Sequence, residues 1–213
     1  MSAPLSTPIA LSALDLAALL CSRVCHDLIS PVGAIVNGLE VLEEDKNEET
    51  RTFALDLIKR SAHQASAKLQ FCRLAFGAAG SAGAQIDLGD AEKVAFGMLA
   101  DDKTSVEWNL PRELLAKNRV KLLLNMLLIA VGCIPRGGTL RVESSDGGEG
   151  FCITASGLNA RLAEATAELL AGGPSRAVDA HAIQPVYAGI LARDCGLTLS
   201  AAAQGEVVMV TAR

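Results

Sequence analysis

Aromatic side chains are scarce in this chain: phenylalanine, tryptophan and tyrosine make up 3% of its 213 residues, while 50% are hydrophobic. The core must therefore come from Leu, Ala, Val and Ile, a composition that favours packed helices over an aromatic-rich sandwich. An excess of positive charge is missing too. With a formal charge of -5, the chain lacks the footprint of a nucleic-acid binder or of a protein drawn to anionic lipid, so its partners are expected to be proteins. Asp15 and Arg23 interrupt the apolar N-terminal region before it reaches the roughly 18 residues of a membrane span. Met1 to Leu20 holds no Lys or Arg to open a signal peptide. A cytoplasmic location, with neither membrane nor nucleic acid as partner, is the expectation. The six cysteines, Cys21, Cys25, Cys72, Cys133, Cys152 and Cys195, form no CxxC pair and have no histidine at ligand spacing. They read as reduced core residues and not as a metal centre.

What is present begins with a long amphipathic stretch from about Leu11 to Leu42. Apolar residues recur there at alternating intervals of four and three: Leu14, Ala18, Cys21, Cys25, Leu28, Val32, Ile35, Leu39 and Leu42. The polar run Glu43 to Asn47 breaks the pattern, and Asn47 ahead of Glu48 and Glu49 has the features of a helix N-cap. A second stripe follows through Leu55, Ile58, Ala62, Ala65, Leu69, Cys72 and Phe76. The two helices should fold back as an antiparallel hairpin, with Val32 and Ile35 facing Ala62 and Ala65. Two helices cannot shield such stripes from water, so a homodimer forming a four-helix bundle is expected.

The Gly, Ala and Ser run from Gly77 to Gln85 reads as a linker, dividing a helical domain at 1–80 from a second domain at 81–213. Beyond it short strands alternate with helices. The strands are expected at Ser105 to Leu110, Thr139 to Ser144, Phe151 to Ser156, Leu197 to Ala202 and Val207 to Thr211. The helices are expected at Asp90 to Ala100, Arg112 to Ile134, Ala160 to Leu170 and Pro185 to Asp194. The fold class is thus a helical hairpin followed by an α/β sandwich.

His26 lies one residue past the stripe position Cys25, so its ring should point away from the hairpin core. Ser22, Arg23, Ser30 and Gly33 fall within one or two turns of it and are candidates for partner contact. A neutral imidazole nitrogen can act as the nucleophile in phosphoryl transfer, and adjacent Asp27 could orient the ring or take its proton. A lone histidine on a helix is more often merely solvated, and His63 and His181 are read that way. His26 is set apart by the string His26, Asp27, Leu28, Ile29, Ser30, Pro31, which puts a proline, at a cost of about 3 kcal/mol, inside a helix.

That string resembles the dimerisation and phosphotransfer domain of sensor histidine kinases, whose motif joins a His, an acidic residue, a Leu, and a Pro five residues after the His. His26, Asp27, Leu28 and Pro31 match, and Ser30 conforms, whereas Ile29 stands where Arg is usual. The second domain is similar in order to the kinases' ATP-binding domain, with Leu122 to Ala130 and then Pro135, Arg136, Gly137, Gly138 and Thr139 as its helix, turn and strand. Three features of that domain do not carry over. Asn125 fits the first of two asparagines, but Ile129 replaces the second, a Mg²⁺ ligand. Ala155 occupies the position of the adenine-binding aspartate. Gln184, Pro185, Val186 and Tyr187 stand where a glycine-rich phosphate loop would lie, near Ala182 to Gly189.

A kinase-like hairpin with a degenerate ATP site resembles the ChpT-type histidine phosphotransferases of alphaproteobacterial phosphorelays. The resemblance implies that His26 accepts a phosphoryl group from the receiver domain of a hybrid histidine kinase and passes it to response regulators. It implies no ATP and no resident metal, the Mg²⁺ of each step belonging to the receiver. Two other functions fit parts of the pattern: an active histidine kinase with a divergent ATP site, and a non-catalytic dimer that sequesters a partner.

Overall fold

The computed structural model describes residues 11–77, 83–170, 178–180 and 182–213. Helix α1 spans Ala13–Glu44, opened by Ser12, whose side chain accepts from the Asp15 amide. Helix α2 spans Glu48–Ala75, and Asn47 caps it as expected, accepting from the amides of Glu49 and Thr50. The pair is antiparallel: Arg51 reaches the Leu42 carbonyl at one end, and Lys68 reaches the Asp27 carbonyl further along.

The hairpin seam departs from the expected stripe. On α1 the buried residues are Pro31 and Gly38, and on α2 they include Ala54, Ser61, Ala65 and Cys72. Val32 and Ala62 are exposed rather than facing one another. Small residues win the seam because the helices approach closely: a Cβ at Gly38 would lie 2.7 Å from Ile58 Cγ1 and 3.3 Å from the Ala54 carbonyl. Bulkier members of the stripe, Leu14, Val32, Leu39, Leu55 and Leu69, are left on the outer flank. The expectation that Asp15 and Arg23 keep this region below a membrane-span length is corrected: by length and composition α1 is long and apolar enough to cross a membrane, with mean hydropathy 1.4 over an 18-residue window.

The rest of the chain runs β1 (Gln85–Asp87), α3 (Leu88–Leu99), β2 (Thr104–Trp108), β3 (Leu114–Ala116), α4 (Lys117–Gly132), β4 (Gly138–Ser145), β5 (Gly150–Ser156), α5 (Glu164–Leu170), α6 (Ile183–Asp194), β6 (Leu199–Gln204) and β7 (Val207–Ala212). The main sheet has the order β2-β4-β5-β7-β6, parallel only between β2 and β4. Its inner face, with Leu140, Val142, Ile153, Ala155, Val208 and Val210, is buried beneath the helices. The outer face is polar, and Arg141 bonds Glu107 there at 2.8 Å. The turn into β4 requires glycine. Gly137 and Gly138 have φ of 85° and 148°, and a Cβ on either would collide with a backbone carbonyl, of Lys103 or of Ser156.

The single helix expected from Arg112 to Ile134 is corrected: Leu114–Ala116 form β3, which pairs with β1 in a small separate sheet, and the helix begins at Lys117. Pairing with a partner distant in sequence overrides the local helical pattern. Residues 78–82 of the expected linker lie outside the described residues. The two parts share one core, in which Phe71, Leu74 and Ala75 of α2 join Leu88, Leu123, Leu127 and Ile153. Helix α4 runs through the middle of that core, every residue from Val120 to Ala130 being buried.

Candidate functional site

Helix α1 presents His26 outward, its side chain 61% exposed, while that of Asp27 beside it is only 14% exposed. Asp27 turns toward the hairpin and is fixed there. Arg23, one turn earlier on the same helix, donates from Nε to Asp27 Oδ2 at 3.1 Å. The other carboxylate oxygen, Oδ1, lies 3.9 Å from His26 Nδ1, an electrostatic pairing longer than a hydrogen bond. Lys68 Nζ of α2 donates to the Asp27 main-chain carbonyl at 2.9 Å. Behind this group is Cys72, whose thiol is pushed up to about 11 by burial and by the Asp27 charge, against opposing effects of Arg23 and Lys68. At neutral pH it stays protonated and adds no charge.

The expected contact residues divide. Ser22 and Ser30 are exposed around His26, and nothing lies within 4 Å of a Cβ added at Gly33, so this face is open. Arg23 is corrected as a member of the open face: its side chain is only 21% exposed and is engaged with Asp27. It lines a cavity of about 270 Å³ together with Ile129 and Cys133 near the end of α4, Thr166 of α5 and Gln184 of α6. His63 is exposed on α2 and His181 lies outside the described residues.

The positions singled out by their departure from the kinase pattern are built into the core. Ala155 is fully buried and Ile129 nearly so. Asn125 is fully buried, and its Nδ2 donates to the Ala75 carbonyl at the end of α2 at 3.0 Å and to the Lys121 carbonyl at 2.7 Å. Its Oδ1 accepts from Gln184 Nε2 of α6. One amide thus ties three helices together and keeps no polar atom directed outward. Pro185 and Tyr187 are buried within α6, and Tyr187 stacks obliquely on Phe76 at 6.0 Å between centroids. Among the described residues no group of three or more His, Cys, Asp or Glu could hold a metal ion.

Sequence reasoning missed Lys68 and the Asn125–Gln184 pair. A signal for the first existed, since a proline within a helix leaves a carbonyl without its N–H partner and a donor on the facing helix is the natural substitute. No local pattern marks the second.

The fold and site define a class, a helical hairpin that displays one carboxylate-backed histidine beside an α/β sandwich. Residues 88–207 match the family model described as the histidine phosphotransferase C-terminal domain. The protein phosphotransferase ChpT of Brucella abortus (strain 2308) is 53% identical over 211 residues, covering 98% of this chain and all of that one. A solved structure of a bacterial phosphotransferase is 50% identical with a TM-score of 0.86, over 98% of this chain and all of that one. The chain belongs to the histidine phosphotransferase family.

Proposed function

We propose that His26 is the phosphoacceptor of this phosphotransferase, taking its phosphoryl group from a receiver-domain aspartate and yielding it to the receiver domains of response regulators. The observation that carries this is the contrast within two adjacent residues: an exposed imidazole, and a carboxylate held on its inner side by Arg23. Nδ1 lies on the Asp27 side of the ring, and Nε2 is the nitrogen that attacks. Its lone pair forms the N–P bond as the bond from phosphorus to the aspartyl oxygen breaks, and the donor's aspartate leaves as a carboxylate. The positive charge gained by the ring is balanced by Asp27, and the proton stays on Nδ1. Transfer to the next receiver reverses these steps. The receiver brings the Mg²⁺, while Ser22, Ser30 and Gly33 provide a flat rim where it can come close, with Arg23 at the inner margin.

ATP does not fit the second layer. The amide of Asn125 is committed to Ala75, Lys121 and Gln184, Ala155 offers no acceptor for a base, and Pro185 removes an N–H from the first turn of α6. The domain serves as a scaffold, and no step is routed through a nucleotide. A second copy of the chain covers the outer flank of the hairpin, where Val32, Leu39, Leu55 and Leu69 are exposed, giving a four-helix bundle. The apolarity of α1 is one-sided, with Ser22, His26, Ser30 and Asn37 exposed on it as well, which suits a bundle in the cytoplasm better than lipid on every side.

Incubation with a labelled phosphoreceiver and Mg²⁺ tests the relay. Label should move to the protein and not to a His26→Ala variant, and labelled ATP with Mg²⁺ should give none. Uptake by His26→Ala, or labelling from ATP, overturns the reading. For the dimer, Leu39→Glu should halve the mass measured by sedimentation equilibrium, because it places a charge on the covered flank.

A further inference from the structure

Pro31 has no N–H, so the carbonyl four residues earlier, that of Asp27, lacks the helical partner it would otherwise have. Pro31 is buried, so little water reaches that side of the helix to fill the gap. Lys68 fills it instead, its ammonium 2.9 Å from the Asp27 oxygen across the hairpin. The proline and the lysine are therefore two halves of one arrangement.

We propose that Lys68 is a positioning residue for phosphoryl transfer, replacing the hydrogen bond that Pro31 cannot donate and so fixing the turn that carries His26 and Asp27 against α2. The inference rests on the reading of His26 as phosphoacceptor and adds a residue on the other helix that the chemistry depends on. In this role Lys68 acts through the backbone of Asp27 and not on the phosphoryl group. Asp27 is held at two points, its carboxylate by Arg23 and its carbonyl by Lys68. The two constraints complement each other, since an ion pair one helical turn long holds the side chain while the turn remains free to shift against α2. A charged donor also makes a stronger bond than a neutral amide, which suits a carbonyl that has lost its usual partner. In-line attack depends on the nucleophile's placement within a fraction of an ångström, so a turn free to shift slows the reaction without touching its reacting atoms.

The test is a double-substitution cycle in the full chain. Transfer from a labelled phosphoreceiver is timed for Lys68→Met, which keeps most of the stem and loses the donor, and for Lys68→Arg, which keeps a donor. Each is made with Pro31 in place and again with Pro31→Ala, which gives the Asp27 carbonyl back its helical N–H. With Pro31 present, Lys68→Met should lower the transfer rate constant about tenfold with little change in the receiver concentration needed for half-maximal rate. Lys68→Arg should recover most of that loss. In the Pro31→Ala background the Lys68→Met deficit should shrink to about twofold or less, a suppression that general loss of packing would not give.

The amide and ring resonances of His26 should move in Lys68→Met and return toward their original positions in Lys68→Arg, a readout independent of turnover. An unchanged rate and unchanged resonances in Lys68→Met overturn the proposal while leaving His26 as acceptor. So does a deficit of equal size in both backgrounds. Uptake of label by His26→Ala would show a different fault, in the assignment of the acceptor, and would remove the basis for both.

Discussion

Two polar islands interrupt the leucine and alanine surfaces of this protein, one around Asp27 on α1 and one around Asn125 on α4, and they share a device. In each, a side chain from one helix supplies a hydrogen bond to a backbone carbonyl of another: Lys68 to Asp27, and Asn125 to Ala75. They differ in what is left over. Around Asp27 the bonds fix a turn from which His26 stands 61% exposed. Around Asn125 both ends of the amide are bonded internally, and Gln184 closes the far side with 4% exposure, its own Oε1 buried without a hydrogen-bond partner. The first island is arranged for an encounter and the second for cohesion. On the reading of His26 as phosphoacceptor, chemistry and architecture are divided between the hairpin and the sandwich.

The division breaks most visibly if His26 proves structural or Asn125 proves chemical. His26→Ala should abolish acceptance of label from a phosphoreceiver while changing unfolding free energy by less than about 0.5 kcal/mol, since the exposed ring contributes little packing. Urea denaturation alongside the transfer assay measures both. Asn125→Ala should do the converse. Removing its amide leaves the Ala75 carbonyl and the Gln184 amide buried without that partner, a loss of about 2 to 4 kcal/mol in urea denaturation. The fraction that remains folded should still accept phosphate at His26. A variant that is stable but inactive would place Asn125 on the chemical side and undo the contrast.

A smaller effect comes from within the first island. Asp27→Asn keeps the shape of the side chain and the Lys68 bond to its carbonyl, but removes the charge that balances the ring during transfer. Roughly a tenfold drop in the rate constant is expected in a rapid-quench time course. An unchanged rate would reduce Asp27 to a partner for Arg23 and leave the imidazole to act alone.

Much of this was legible in the chain because it was written in local terms. The α1 and α2 boundaries followed from periodicity and from Asn47; His26 is exposed as expected, although Cys25, the stripe position it was offset from, is exposed as well. The glycine turn before β4 was visible as Gly137 and Gly138. What escaped depended on partners distant in sequence. Leu114 to Ala116 look helical until Gln85 to Asp87 are placed beside them. The apolar stripe could not say which of its edges would face α2, because that choice is set by how closely Gly38 lets Ala54 and Ile58 approach. Arg23 read as surface until Asp27 drew it inward, and the Asn125–Gln184 bond joins residues 59 positions apart.

Cys72 supplies the gentlest test of the comparison, because it lies on the buried side of the His26 turn while Cys21 and Cys25 on α1 are exposed. Its thiol is raised to about 11 from an ordinary value of 9.0, chiefly by burial and then by Asp27. The folded protein therefore holds this proton more tightly than the unfolded chain does. The resulting contribution to stability is fully present below pH 9.0 and is lost as pH rises through the interval up to about 11. Denaturation midpoints between those limits should fall less steeply for Cys72→Ala than for the parent, whatever the substitution costs at neutral pH. Thiol-specific reagents should modify Cys21 and Cys25 well before Cys72 at pH 8. If Cys72 reacts as fast as they do, the turn beneath His26 opens readily, and the rigid backing attributed to Asp27, Arg23 and Lys68 is absent.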